Sequence, residues 1–148
     1  MIKYFPPAEA FLAKFPALDL ANQAREGEQS DYDTVLLALM KRIITSVGID
    51  ELTYFETYPD IEEAVARGDL PNATYHFANY GFFERRMGVP KSFTEDWYLA
   101  TYPDVSLAIA DGEYPDAKGH YVETGLREWR APCEGSSEDV NLWHQTLK

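Results

Sequence analysis

A 33-residue segment, Tyr54 to Arg86, is written again 44 positions later, and this duplication constrains the chain more than any other feature. Fourteen of the 33 aligned pairs are identical: Tyr54, Thr57, Tyr58, Pro59, Asp60, Ala64, Ala66, Gly68, Pro71, Ala73, His76, Gly81, Glu84 and Arg86 all recur. Short units of this kind cannot bury an apolar face alone, so they fold by stacking on neighbours. A fainter third copy precedes them. "FLAKFPALDLA" from Phe11 lines up with "YLATYPDVSLA" from Tyr98, which places Pro16, Pro59 and Pro103 at spacings of 43 and 44.

Each clear copy predicts three short helices. Asp50 and Thr94 have N-cap chemistry for the first helix, with Ile49 and Phe93 before the caps and Tyr54 and Tyr98 at staple spacing behind them. Pro59 and Pro103 open the second helix, where a missing N–H costs nothing. Asp60, Glu62 and Glu63 add negative charge at its positive end. Gly68 and Gly112 suit a left-handed helix end. Asn72 and Asp116 cap a third helix, with stripes Ala73–His76–Phe77–Tyr80 and Ala117–His120–Tyr121–Thr124, stopped by Gly81 and Gly125. Before the copies, "SDYDTVLLALMKRIITSVG" reads as the longest helix, capped at Ser30 and ended at Gly48. Its Val35, Leu36, Leu39, Met40 and Ile43 are the expected spine on which the units pack. Arg25 to Ser30 reads as a polar loop. After the copies, Val140, Trp143 and Leu147 fall on one side of a terminal helix.

The expected fold is therefore all-α, with tandem repeats of about 44 residues packed on a longer central helix. Its divisions are an N-terminal helical region (1–48), a first repeat (49–92), a second repeat (93–135) and a C-terminal tail helix (136–148).

Of the recurring residues, Tyr58, Pro59, Asp60, Gly68, His76, Gly81 and Glu84, with Tyr102, Pro103, Asp104, Gly112, His120, Gly125 and Glu128, read as structural positions. His76 and His120 sit on apolar helix faces. They are expected to donate to Asp60 and Asp104, tying the second helix to the third, in preference to holding a metal. The Glu84-Arg85-Arg86 and Glu128-Trp129-Arg130 patterns suit salt bridges between units, with Arg86 and Arg130 as alternative anion contacts. Trp129 stands where the other copy has Arg85, which suggests an exposed position. With Trp97 and Tyr114 it is a candidate contact residue.

Charge narrows the partners. Thirteen Lys and Arg against 25 Asp and Glu give a net charge of −12, which disfavours nucleic acid and anionic membrane surfaces. A single Cys133 excludes an intrachain disulfide. The opening residues lack a secretory signal pattern and no apolar run spans a membrane, so a cytoplasmic location is expected. No hydrolase elbow, phosphate loop, dinucleotide fingerprint or His-Glu-x-x-His is present, and neither catalytic residue, metal nor cofactor is expected.

The segments "YLATYPDVSLAIADGEYPDAKGHYVETGLREWR" and its partner from Tyr54 resemble a short bacterial repeat: Tyr-Pro-Asp-Val, then His-Tyr, Gly and Glu-x-Arg. That repeat is found in modular proteins carrying glycosyltransferase, methyltransferase or adhesin-like regions. The resemblance implies a scaffold or accessory role linked to surface glycans, and no catalytic residue. The chain departs from the pattern with Glu-Trp-Arg in place of Glu-Gly-Arg. The leading expectation is a non-enzymatic module that binds a protein partner or itself. A carbohydrate-binding module and an acidic mimic of nucleic acid are the alternatives.

Overall fold

Prolines and left-handed turns set the rhythm of the fold. A residue before proline is kept out of the helical region, and Phe15, Tyr58 and Tyr102 accordingly share one backbone conformation, with φ near −128°, −127° and −121°. Each closes a seven-residue helix: α1 (Ala8–Lys14), α3 (Glu51–Thr57) and α6 (Glu95–Thr101). The proline then starts the next element. Pro16 opens a single 3₁₀ turn (Pro16–Leu18), while Pro59 and Pro103 open α4 (Pro59–Ala66) and α7 (Pro103–Ala110).

This computed structural model describes residues 1–20 and 30–148, and it is all-α. Among the described residues there is no strand, only an isolated antiparallel bridge between Ile49 and Pro90. The loop expected from Arg25 lies outside the described residues as far as Ser30, which is the N-cap of α2 (Asp31–Val47). There Ser30 and Asp33 form a reciprocal capping box, and Gly48, at φ 69°, ends the helix.

Gly68 and Gly112 end α4 and α7 in the left-handed region, at φ 81° and 79°, with open space around them. The N–H of Asp69 reaches back to Ala64 O and that of Glu113 to Ala108 O, the six-to-one bond of a Schellman ending. Asn72 and Asp116 then cap α5 (Ala73–His76) and α8 (Ala117–His120), each accepting an N–H at 2.7 Å. Both short helices widen into one π-turn, Phe77–Gly81 and Tyr121–Gly125. The N–H of Phe82 bonds Phe77 O, and that of Leu126 bonds Tyr121 O. The expected glycine stops, Gly81 and Gly125, are the last residues of these turns. The chain then runs through one further turn to the left-handed residues Arg85 and Trp129, at φ 61° and 58°.

Two details of the first helices differ between the copies. Asp50 caps α3 through its side chain, accepting from Thr53 N. Thr94 does not cap α6; its hydroxyl donates to Ser92 O instead. In the second copy the staple is visible as a ring contact between Phe93 and Tyr98, 5.1 Å between centroids.

The long helix corrects the expected spine. Met40 is buried and Leu36 and Ile43 are half-buried, but Val35 and Leu39 are 59% and 56% exposed. The inward line is Met40, Ile44 and Val47, backed by Leu36, Leu37 and Ile43. Apolar residues lie on every side of this helix, so hydrophobic pattern alone does not choose the face. Nor is α2 central: it packs on the 3₁₀ turn, α5 and the first π-turn, while α6, α7 and α8 pack among themselves.

The two halves are joined by the chain's own extremities. Residues 4–7 precede the first helix and are buried. Tyr4 packs with Ala131 and Val140, and Phe5 packs against Phe77 and Phe82 with centroids 5.3 and 6.3 Å apart. The terminal helix α9 (Ser137–Thr146) turns Val140, Trp143 and Leu147 inward as its spacing predicts, and Trp143 meets Phe11 of α1 edge-on.

Candidate functional site

The recurring polar residues converge into one cluster per copy. Tyr54 projects from α3 to share a 2.9 Å hydrogen bond with His76 Nδ1 on α5. Tyr98 and His120 do the same at 2.9 Å. The phenol can approach because Gly81 and Gly125 face it: a Cβ at either glycine would overlap the tyrosine hydroxyl and lie 3.5 Å from the histidine Nδ1. Burial, followed by the facing guanidinium of Arg86 or Arg130, lowers both imidazole pKa values. Burial likewise raises both phenols above their ordinary range. The pairs are therefore neutral at physiological pH.

A second layer lies outside this one. Tyr58 Oη accepts from Met87 N at 2.7 Å, and Tyr102 Oη accepts from Ala131 N at 2.8 Å. Arg86 lies over the Tyr58 ring at 4.8 Å, and Arg130 over Tyr102 at 4.9 Å. Arg130 donates to both Asp104 oxygens, at 3.0 and 2.7 Å, and through Nε to Glu128 at 2.7 Å. Arg86 makes the same set with Asp60, at 3.2 to 3.3 Å, and Glu84 at 3.1 Å. The Arg130 fork holds the Asp104 carboxyl below its ordinary pKa.

These contacts overturn the expected aspartate–histidine tie. The histidine Nδ1 meets a tyrosine, and the aspartate meets an arginine. Asp60 and Asp104 sit on the outer side of their helices, where an arginine from the end of the unit reaches them and a buried imidazole does not. The Arg86 and Arg130 bridges also stay within their own copy. Links between copies come from elsewhere. Lys118 pairs with Asp50, whose carboxyl burial would push up but whose hydrogen bonds from Lys118 and Thr53 hold below its ordinary pKa. Arg85 reaches Asp19 at 2.7 Å and Arg127 reaches Glu9 at 3.1 Å, joining both copies to the N-terminal region.

The proposed contact aromatics also turn inward. Trp129 is half-buried and stacks on His144 of α9, with centroids 4.7 Å apart and planes 17° from parallel. Its left-handed backbone aims the side chain at the next element, as Arg85 is aimed at Asp19; the exchange of Arg for Trp marks a change of neighbour. Trp97 is half-buried and meets Tyr102 edge-on. Tyr114 bonds Thr124 at 2.6 Å and packs on His120. Among the described residues no group of three or more His, Cys, Asp or Glu side chains is placed to hold a metal ion. No helix among them is long and apolar enough to cross a membrane.

Two surfaces went unnoticed in the sequence. One is the outer face of α2, with Tyr32 89% exposed beside Val35 and Leu39. The other is an open groove of about 720 Å³ where the end of α2 meets the starts of α3 and α5. Leu52 and Tyr75 stand on that groove, 76% and 43% exposed, with Lys91 beside them. In the second copy the corresponding residues are Asp96, Gly119 and Gly135, so this groove has no counterpart of like chemistry. A comparison of the repeated segments by identity alone discards such positions. No protein-family model, curated protein or solved structure matches the chain.

Proposed function

We propose that the chain is a non-enzymatic interaction module built from tandem helical units of about 44 residues. Two units are full, at 49–92 and 93–135, and α1 with its 3₁₀ turn is the remnant of a third. One observation carries the reading. The polar side chains that recur are engaged with one another inside their own unit, so the motif's hydrogen-bonding capacity goes into shaping the unit. Among the residues that differ between units, Leu52 and Tyr75 face outward.

In this reading, conserved geometry supplies the frame and unit-specific side chains supply recognition. The resemblance to a repeat of glycosyltransferase-, methyltransferase- and adhesin-associated proteins supports an accessory place in surface-glycan assembly. The carbohydrate-binding alternative loses Trp97, Trp129 and Tyr114 as stacking platforms, since each packs on a neighbouring residue. The groove bearing Tyr75 is its remaining support.

Crosslinking of the tagged chain in its native cells tests the proposal. A stoichiometric protein partner, lost on Leu52→Glu or Tyr75→Ala with unfolding temperature unchanged, is the expected result. Turnover of nucleotide-sugar or S-adenosylmethionine donors by the purified chain would overturn it. Glycan-array binding abolished by Tyr75→Ala would move the assignment to the carbohydrate reading.

A further inference from the structure

The outward face of α2 is written with its own periodicity. Tyr32, Val35, Leu39, Arg42 and Ser46 follow one another at spacings of three and four, the seam of a helix that packs against another helix. The core takes a different line, Met40, Ile44 and Val47. The seam is left open: Tyr32, Val35 and Leu39 are 89%, 59% and 56% exposed. A terminal unit of a stacked array ordinarily presents a polar outer face, and this one does not.

Charge says what the seam fits. The helix begins with Asp31 and Asp33 and carries Lys41 and Arg42 in its second half. Asp31, Lys41 and Arg42 form no ion pair among the described residues. A parallel copy would set acid beside acid and base beside base. An antiparallel copy sets each end against its opposite and also opposes the helix dipoles. With the two-fold axis at the level of Leu37, Val35 of one chain faces Leu39 of the other, and Tyr32 faces Arg42, where a cation–π contact and an Asp31–Arg42 pair form together.

We propose that α2 is a self-association face, pairing antiparallel with α2 of a second copy through Tyr32, Val35, Leu39 and Arg42. The proposal deepens the interaction-module reading and rests on it. From Tyr32 to Arg42 the seam runs only about 15 Å along the helix, less than a standard interface needs, so the dimer is weak and concentration-dependent.

Sedimentation velocity of the full chain from about 1 µM to about 1 mM tests it. The expected result is a monomer–dimer equilibrium. Leu39→Glu should weaken it by about tenfold or more without changing the circular dichroism or unfolding temperature, since Leu39 is already exposed. Asp31→Arg and Arg42→Glu should each weaken it, and the double variant should recover part of the loss by restoring the ion pair without the cation–π contact, which a parallel pairing does not allow. A monomer throughout the range, a dimer indifferent to Leu39→Glu, or no recovery in the double variant overturns the proposal. A monomer throughout the range, together with a protein partner captured through Leu52 and Tyr75, would sink this face while leaving the module reading intact; donor turnover would sink the module reading and leave the dimer to be judged on its own.

Discussion

Residues 50–88 and 94–132 run through the same succession of elements, and they differ most visibly where they meet the rest of the molecule. Inside, the agreement is close: the Tyr–His bond is 2.9 Å in both, and the arginine lies 4.8 or 4.9 Å above its tyrosine. At the periphery, Arg85 answers Asp19 while Trp129 answers His144. Tyr75 stands on the surface where the second copy has Gly119, and one core position also differs, Phe77 against Tyr121. The recurring residues are thus a folding grammar, and the variable ones address particular neighbours. A polar side chain that recurs in a duplicated segment is as readily explained by the unit's own closure as by a ligand.

The comparison breaks most severely at the glycines. Gly81→Ala and Gly125→Ala should each destabilise by about 2–4 kcal/mol, because the methyl displaces a buried phenol and its hydrogen bond together. Chemical denaturation measures this. Pairing Gly81→Ala with Tyr54→Phe, or Gly125→Ala with Tyr98→Phe, should return part of the loss by removing the colliding oxygen. A mild effect at one glycine alone would mean that the two clusters are not equivalent.

The arginines sharpen the comparison next. Arg130 is less exposed than Arg86, 18% against 26%, and its bonds are shorter. Arg130→Ala is expected to cost about 1–2 kcal/mol and Arg86→Ala about half as much, since both aspartates face water. Equal losses in denaturant melts would show that these differences in geometry carry no energy.

Acid should expose the histidines. Their folded pKa values lie below the unfolded value, so the unfolded chain binds more protons below pH ~6.5. The stability they contribute is complete above that pH and declines as pH falls toward the lowered folded values. Unfolding temperature should therefore drop on acidification below neutrality, and His76→Gln/His120→Gln should flatten the drop. An undiminished slope in the double variant would assign it to other groups.

The smallest effect tests the Phe77–Tyr121 difference. The hydroxyls of Tyr121 and Tyr4 are buried without a hydrogen-bond partner among the described residues. Tyr121→Phe writes the first copy's residue into the second, and should be neutral or stabilising by up to about 1 kcal/mol. A clear loss of stability would reveal work done by that oxygen.

Which features the sequence disclosed follows from their range. Helix breaks at Tyr58–Pro59 and Gly68, and the cap at Ser30, are dictated by adjacent backbone and were legible residue by residue. The Tyr54–His76 partnership spans two helices, and the sequence pointed to Asp60 as the acceptor in its place until the distances showed otherwise. The glycine signal was visible at Gly81 and Gly125, which close their turns as read, but the neighbouring phenol that also requires them was not. Trp129 misled because a left-handed helix end aims its side chain by backbone geometry, which composition does not report. The groove and the α2 seam were hidden for opposite reasons: one is built from residues that do not recur, the other from apolar residues indistinguishable from core.

The burial of Tyr4 against Ala131 and Val140 ties together residues more than a hundred positions apart. Loop-closure entropy grows only slowly with length, so a tie this long costs little more than a short one. The same segment lays Phe5 against Phe77 and Phe82, and a change at Ala131 or Val140 therefore reaches the first copy through Tyr4, the neighbour of Phe5.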